Sequence, residues 1–192
     1  MNSVKPQDEG DPVGTEAFGI LGLKRRLVLS DEELRAAFRE AGARMHPDAG
    51  GKDGNFTRLE AARALLASPG RRLRLWLATG GIAVEPRGTV DGRLMDLFAK
   101  IGETTRTAEE IVRRRMEAKS ALPLALTEEG AQRSREAVEE LIAEVERELA
   151  EECGHFPAME EGAADDVHAR VRNLAFLEKW RAALRSLYAR LA

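Results

Sequence analysis

Apolar residues recur at helical spacing along most of the chain, and this pattern predicts an all-helical protein. The first two stripes are formed by Leu34, Phe38, Ala41 and Met45 and by Phe56, Leu59, Ala62 and Leu66. Ser30 precedes Asp31, and Glu33 occupies the capping-box position, so a helix is predicted to begin here. Pro47 disfavours helix for the residue before it, so this helix should end near Met45. Two helices joined by a tight loop are therefore expected.

The second half of the chain carries three longer helical patterns. They cover about 90–119, 127–153 and 163–191, with an interruption possible at 102–107, a turn at 121–126 and a Gly/Pro loop after Cys153. Thr127 is the expected N-cap of the middle pattern. Helices of this length joined by short loops predict an antiparallel three-helix bundle over 90–192. Residues 82–89, with Pro86 and Gly88, are interpreted as a linker, and residues 1–14 as a disordered tail.

Composition narrows the class of protein. Of 192 residues, 43% are hydrophobic, 33% charged and only 5% aromatic, which favours helices with solvated outer faces. No apolar run approaches the roughly 20 residues that span a bilayer, and the N-terminus lacks a secretory apolar core. A cytoplasmic protein without membrane contact is expected. The single cysteine excludes an intrachain disulfide and a multi-cysteine metal site, and no cofactor or metal is predicted.

The net charge of −3 is the sum of a basic first half and an acidic second half of the chain. Residues 15–80 hold 12 Lys and Arg against 8 Asp and Glu, whereas residues 81–192 hold 17 against 22. A basic domain raises the possibility of nucleic-acid binding. Base-stacking aromatics on an exposed face are not evident, however. An acidic protein partner is therefore the preferred interpretation, and no nucleic acid is expected.

The predicted loop contains His46-Pro47-Asp48, followed by the glycines of Ala49-Gly50-Gly51. The glycines could suggest a phosphate cradle, but the GxxxxGK[ST] pattern and a preceding strand are both absent. His46 lacks a second ligand at metal-binding spacing. On the preceding helix, Arg35 and Arg39 lie one turn apart, beside the apolar stripe.

This stretch resembles the J-domain of DnaJ-type co-chaperones, in which an HPD tripeptide lies between the second and third helices. The match extends over 15–81: Phe18 to Leu23 resembles the first helix with its LGL ending, and Pro69 and Arg72 match the fourth helix. The resemblance implies a four-helix domain that docks on a DnaK- or HscA-type chaperone and stimulates its ATP hydrolysis. The implied chaperone-binding residues are His46, Pro47, Asp48, Arg35 and Arg39. Glu40, at a position that is often basic in the family, and Gly42, within the helix, depart from the pattern.

A second resemblance concerns the HscB family, the J-proteins of iron–sulfur cluster assembly. Leu75-Trp76-Leu77 and Gly81 fall where HscB-type proteins carry Y-L-L and G, and Val171 to Trp180 resembles a run in their last helix. The resemblance implies a client-binding domain at 90–192, with an IscU-type scaffold as one candidate client. Candidate client-binding residues are Leu94, Leu97, Phe98 and Ile101, whose spacing would equally bury this helix in its own bundle.

Sequence alone therefore predicts a non-enzymatic, all-α co-chaperone made of a J-domain and an HscB-like bundle. Three alternatives remain open. The first is a general J-protein with a different client, and the second is a structural helical protein whose HPD loop has lost its role. The third is a nucleic-acid-binding module, which depends only on the basic half of the chain.

Overall fold

The computed structural model describes residues 12–44, 55–84, 91–162 and 166–191, and within these ranges it contains eight α-helices and no strand. The helices are α1 (Pro12–Ile20), α2 (Asp31–Arg44), α3 (Asn55–Ala67), α4 (Pro69–Thr79), α5 (Gly92–Glu117), α6 (Ala121–Gly154), α7 (Phe156–Glu160) and α8 (Val167–Leu191). The all-helical prediction is confirmed for this part of the chain. None of the helices described is long and apolar enough to cross a membrane.

The chain divides into two compact units, and the first contains residues 1–84 together with 160–162. Helix α3 packs against α1, α2 and α4, so it is the central element of this unit. The core is almost entirely aliphatic and is built from Ala17, Phe18, Leu21, Leu34, Ala37, Ala41, Leu59, Ala62, Leu65, Leu66 and Leu75. Its members recur at three- and four-residue spacing on α2 and α3, which is why the stripes in the sequence located both helices.

Helix α4 is fixed at both ends by side chains. The hydroxyl of Ser68 accepts a hydrogen bond from the Arg71 amide at 3.1 Å, and Pro69 occupies the first helical position, where no amide donor is needed. At the other end, Arg25 lies over the Trp76 ring, 4.6 Å from its centroid, and donates to Thr79 Oγ1 at 2.8 Å. A Cβ at Gly80 would lie 2.6 Å from Arg25 Nη2, so the glycine leaves space for this arginine.

The second unit contains residues 85–159 and 163–192. Helices α5, α6 and α8 contact one another in all three combinations, as a three-helix bundle requires. Ion pairs establish the direction: Lys100 of α5 contacts Glu144 of α6 at 2.8 Å, and Arg115 contacts Glu128 at 3.3 Å. Numbers rise along α5 while they fall along α6, so these helices are antiparallel. Between α6 and α8, Glu152 pairs with Arg170 and Glu146 with Arg185, so these helices are also antiparallel, and the predicted antiparallel bundle is confirmed.

In the second unit, the possible interruption of the first long helix does not occur, and two predictions at the start of the middle helix were wrong. Helix α5 is continuous through 102–107, since one glycine costs only about 1 kcal/mol in a helix interior. Helix α6 begins at Ala121, so the predicted turn at 121–126 and the Thr127 N-cap are replaced by a longer helix with Ser120 at its N-cap. Pro123 is tolerated because it lies in the first turn, where amides have no intrahelical acceptor.

Two further boundaries also differ from prediction. Helix α1 begins at Pro12, which is suited to the first helical position, so the last three residues of the predicted tail are helical. Residues 1–11 lie outside the described residues. The Gly/Pro loop predicted after Cys153 contains the short helix α7, which buries Phe156 and Met159. A helix this short is not stable alone, so the burial of its two apolar side chains accounts for it.

Candidate functional site

Helix α2 presents its two central arginines on the side opposite the core. Leu34, Ala37 and Ala41 are buried, whereas Arg35 and Arg39 are exposed and four residues apart on the outer face. Among the described residues, neither arginine takes part in an ion pair. The face therefore offers two uncompensated positive charges within one helical turn, which suits an acidic partner surface.

The start of α2 is held by the predicted capping box. The Ser30 amide and hydroxyl both donate to Glu33 Oε2 at 2.9 Å, and the Glu33 amide donates to Ser30 Oγ at 3.1 Å. Arg26 adds an ion pair to Glu33 at 2.7 Å. The backbone hydrogen bond from Ser30, followed by the hydrogen bond from Arg26, lowers the pKa of Glu33 from 4.5 to about 2. This carboxylate stays ionised and fixes the helix that carries the arginine face.

The two helices that flank the HPD segment in the sequence contact each other through aromatic rings. The ring of Phe38 on α2 meets that of Phe56 on α3 edge to face, with centroids 6.2 Å apart. The Arg63 guanidinium lies 5.0 Å from the centroid of Phe38. The sequence between these helices, residues 45–54, is outside the described residues and contains His46, Pro47 and Asp48. Their role as chaperone-binding residues remains a prediction.

The two departures from the J-domain pattern have simple local consequences. Glu40 pairs with Arg44 at 2.7 Å within α2, so its negative charge is balanced by its own helix. At Gly42, a Cβ would lie 3.7 Å from a methyl carbon of Leu59, an ordinary contact distance, so the packing of α2 on α3 does not require glycine at this position. Neither residue removes the exposed arginine face.

The four candidate client-binding residues of α5 are divided by the structure. Leu94 is fully buried, Leu97 is 3% exposed and Ile101 is 7% exposed, so these three face the bundle core. Phe98 is 52% exposed. An apolar strip made of all four residues is therefore not available on the surface of the second unit. The alternative interpretation, in which these residues bury α5 in its own bundle, holds for Leu94, Leu97 and Ile101.

Phe98 instead belongs to an aromatic surface shared by α5 and α8. Its ring stacks on Trp180 with centroids 5.7 Å apart, and Phe176 lies 5.9 Å from the same indole. Phe176 is 38% exposed, and Met95, one turn before Phe98, is 52% exposed. We call these four residues the aromatic surface. Sequence reasoning missed Met95 and Phe176, although Phe176 is an apolar residue outside the buried stripe formed by Leu174 and Leu177.

Comparison with known proteins identifies the fold. No family model matches the chain, and no curated protein matches it either. Among solved structures, the chaperone HscB from Vibrio cholerae aligns with a TM-score of 0.53 and 21% sequence identity, covering 92% of this chain and 99% of that one. The chain has an HscB-like fold. The HscB-like fold accounts for both units, since the alignment covers nearly the full length of both proteins.

Ligand-forming side chains are not gathered into a metal site in the part of the chain that the structure describes. No group of three or more His, Cys, Asp or Glu residues there could hold a metal ion. Cys153, His155 and His168 lie near one another in sequence around α7 but do not form such a group. The candidate site is therefore composed of two surfaces, the arginine face in the first unit and the aromatic surface in the second.

Proposed function

We propose that this protein is a J-domain co-chaperone that stimulates ATP hydrolysis by a DnaK- or HscA-type chaperone and delivers a client to it. The observation that supports this proposal is the exposed arginine pair on α2, on the helix that leads directly into His46-Pro47-Asp48. The HscB-like fold is consistent with it. The chain itself is not an enzyme in this proposal, because hydrolysis takes place within the partner.

The proposed roles of the residues follow from their chemistry. Arg35 and Arg39 attract an acidic surface of the chaperone and orient the J-domain on it, which mainly increases the rate of association. Docking brings His46 and Asp48 to the chaperone, where they act on the chaperone's own catalytic arrangement. Pro47 restricts the backbone between them.

The aromatic surface is the proposed client-binding region of the second unit. Aromatic side chains and methionine are enriched in protein interfaces. A cluster of them on a helical surface is unfavourably exposed to water unless a partner covers it. Phe98 and Phe176 flank the nearly buried Trp180, which holds the exposed rings in place. An IscU-type iron–sulfur scaffold is our first candidate client.

The chaperone role is tested by ATPase stimulation with the purified full-length chain. His46→Gln should abolish stimulation of a cognate chaperone while helical content by circular dichroism stays unchanged. Arg35→Glu with Arg39→Glu should weaken stimulation, more strongly at low ionic strength, because exposed charge attraction is screened by salt. The matched control is Arg71→Glu with Arg74→Glu, which reverses the same charge on α4. Full stimulation by the His46 variant would refute the J-domain proposal.

The client role is tested separately by calorimetric titration with a purified IscU-type scaffold. Phe98→Ser should weaken binding at least about tenfold, as expected for an aromatic anchor worth more than 1.4 kcal/mol. Met116→Ser is the control, because Met116 is 83% exposed but lies outside the aromatic surface. If the unmodified chain does not bind the scaffold while it still stimulates the chaperone, the client is a different protein.

A further inference from the structure

A concave surface lies between α5 and α6, in the second unit. The two helices form a groove of about 450 Å³. Its lining residues all come from these two helices and are Glu103, Thr104, Thr107, Ile111, Gly130, Arg133, Ser134 and Ala137. We call this the α5–α6 groove. None of its residues belongs to the aromatic surface.

Most of the side chains that line the groove are small or carry a hydroxyl group. Thr107, Gly130 and Ala137 place little more than backbone along its sides, and such residues allow the close approach of another helix. A Cβ at Gly130 would lie 2.9 Å from Ile111 Cδ1, so the Ile111 side chain packs directly on the α6 backbone at Gly130 and forms the floor of the groove there. On α6 the same face continues to Leu126 and Leu122, which are 77% and 71% exposed.

The ends of the groove differ in character. At one end, the ion pair between Lys100 and Glu144 joins the two helices. Glu103 lies three residues after Lys100 on α5, and Glu140 lies four residues before Glu144 on α6. Because the two helices are antiparallel, both carboxylates lie one helical turn from the Lys100–Glu144 pair, one on each side of the groove. Neither carboxylate has an ion-pair partner among the described residues.

The remaining charge on the rim is compensated. Arg133 lies 3.3 Å from Glu129 on its own helix, so it does not balance the facing carboxylates. From the level of Glu140 to Leu126 the face runs 14 residues, roughly 21 Å of helix. It therefore carries two carboxylates at one end, small and hydroxyl side chains beside Ile111 in the middle, and two exposed leucines at the other end.

We propose that the α5–α6 groove binds a basic amphipathic helix of a partner protein. Lysine or arginine at one end of that helix lies between Glu103 and Glu140. Its apolar side chains fill the hollow beside Ile111 and cover Leu126 and Leu122. This is helix-in-groove recognition, in which side chains at i, i+3, i+4 and i+7 occupy the groove. The inference does not depend on the proposed chaperone role.

The probe is a fluorescent 16-residue helical peptide with leucines at that spacing and two lysines at one end. A matched peptide carries glutamates in place of the lysines. In fluorescence anisotropy with the full chain, the lysine peptide should bind at least about tenfold more tightly than the glutamate peptide. Absence of binding, or equal binding of the two peptides, would overturn the proposal.

Variants locate the binding site. Glu103→Gln with Glu140→Gln should weaken binding of the lysine peptide about tenfold, whereas the control Glu60→Gln with Glu139→Gln changes net charge equally and should leave it unaltered. Ala137→Phe should block the groove, with unchanged circular dichroism as the check of folding. Equal losses in both double variants would reveal nonspecific attraction instead. Light scattering that shows a dimer dissolved by Ala137→Phe would assign the groove to a second copy of the chain and refute the proposal.

Discussion

Arg170 stabilises a carboxylate that the bundle has removed almost completely from water. The Glu152 side chain is 3% exposed, and Arg170 contacts it at 2.8 Å while being only 15% exposed itself. Asn173 donates to Glu152 Oε1 at 3.0 Å, and Arg93 of α5 contacts the same oxygen at 3.0 Å. One carboxylate thus joins all three long helices of the second unit.

Replacing Arg170 with alanine should destabilise the second unit by about 3 kcal/mol. Removing one partner of a buried ion pair typically costs about 3–5 kcal/mol, because the remaining charge stays buried without compensation. The lower end applies here, since Arg93 and Asn173 remain bound to Glu152. Arg93 is 39% exposed, so water screens its charge and it cannot replace Arg170 fully.

Urea unfolding measured by tryptophan fluorescence tests this magnitude. In a Trp76→Phe background, Trp180 alone reports on the second unit. With an m-value of about 2 kcal/mol/M, Arg170→Ala should lower the midpoint by roughly 1.5 M. Arg185→Ala is the control, because its partner Glu146 and Arg185 itself are 44% and 61% exposed, so the effect should stay below about 1 kcal/mol.

A second substitution separates charge burial from loss of packing. Glu152→Gln added to Arg170→Ala should recover part of the stability, because it removes the uncompensated charge while an amide can still accept from Asn173. A loss below about 1 kcal/mol for Arg170→Ala, or no recovery in the double variant, would show that the buried charge is not what makes Arg170 important.

Two further predictions concern Glu33 and the buried face of α5. Because the pKa of Glu33 is lowered on folding, the ionised carboxylate stabilises the fold above pH 4.5, and this stabilisation is lost as the pH falls towards about 2. An NMR titration should therefore give a pKa of about 2 for this carboxyl group. In Glu33→Gln, the free energy of unfolding should fall less as the pH is lowered. A normal pKa would contradict the capping-box geometry. Leu97→Ala should cost about 2–5 kcal/mol of stability, since Leu97 is 3% exposed. Phe98→Ala should cost less in the same urea assay, since Phe98 is 52% exposed, and equal losses would contradict this division of α5.

The sequence predicted the elements whose signals are local. Ser30 with Glu33 marked a helix start that the structure contains at the same position. The capping box at Ser30 depends on neighbouring residues only, whereas Thr127 is followed three residues later by Gly130 and so lacks the reciprocal acidic partner. The apolar stripes of α2 and α3 were similarly sufficient, because each has one buried face.

The start of α6 and the client-binding residues could not be predicted in this way. Proline usually signals a turn, and only the observed position of Pro123 in the first turn of α6 reveals why the helix continues. For α5, helical spacing shows that Leu94, Leu97 and Ile101 share a face, but not whether that face meets α6 and α8 or a client. Burial, which needs the tertiary structure, decides this question.

Helix α5 contributes to the bundle core, to the aromatic surface and to the α5–α6 groove, and the apolar pattern in the sequence predicted only the face in the core. Phe98 and Thr107 are nine residues apart, which is two and a half turns, so they lie on opposite sides of the helix. The aromatic surface and the α5–α6 groove are therefore separate. If both proposals are correct, a scaffold bound at Phe98 should not displace the lysine peptide from the groove. Competition between the two ligands would contradict the assignment of Phe98 and Thr107 to separate surfaces.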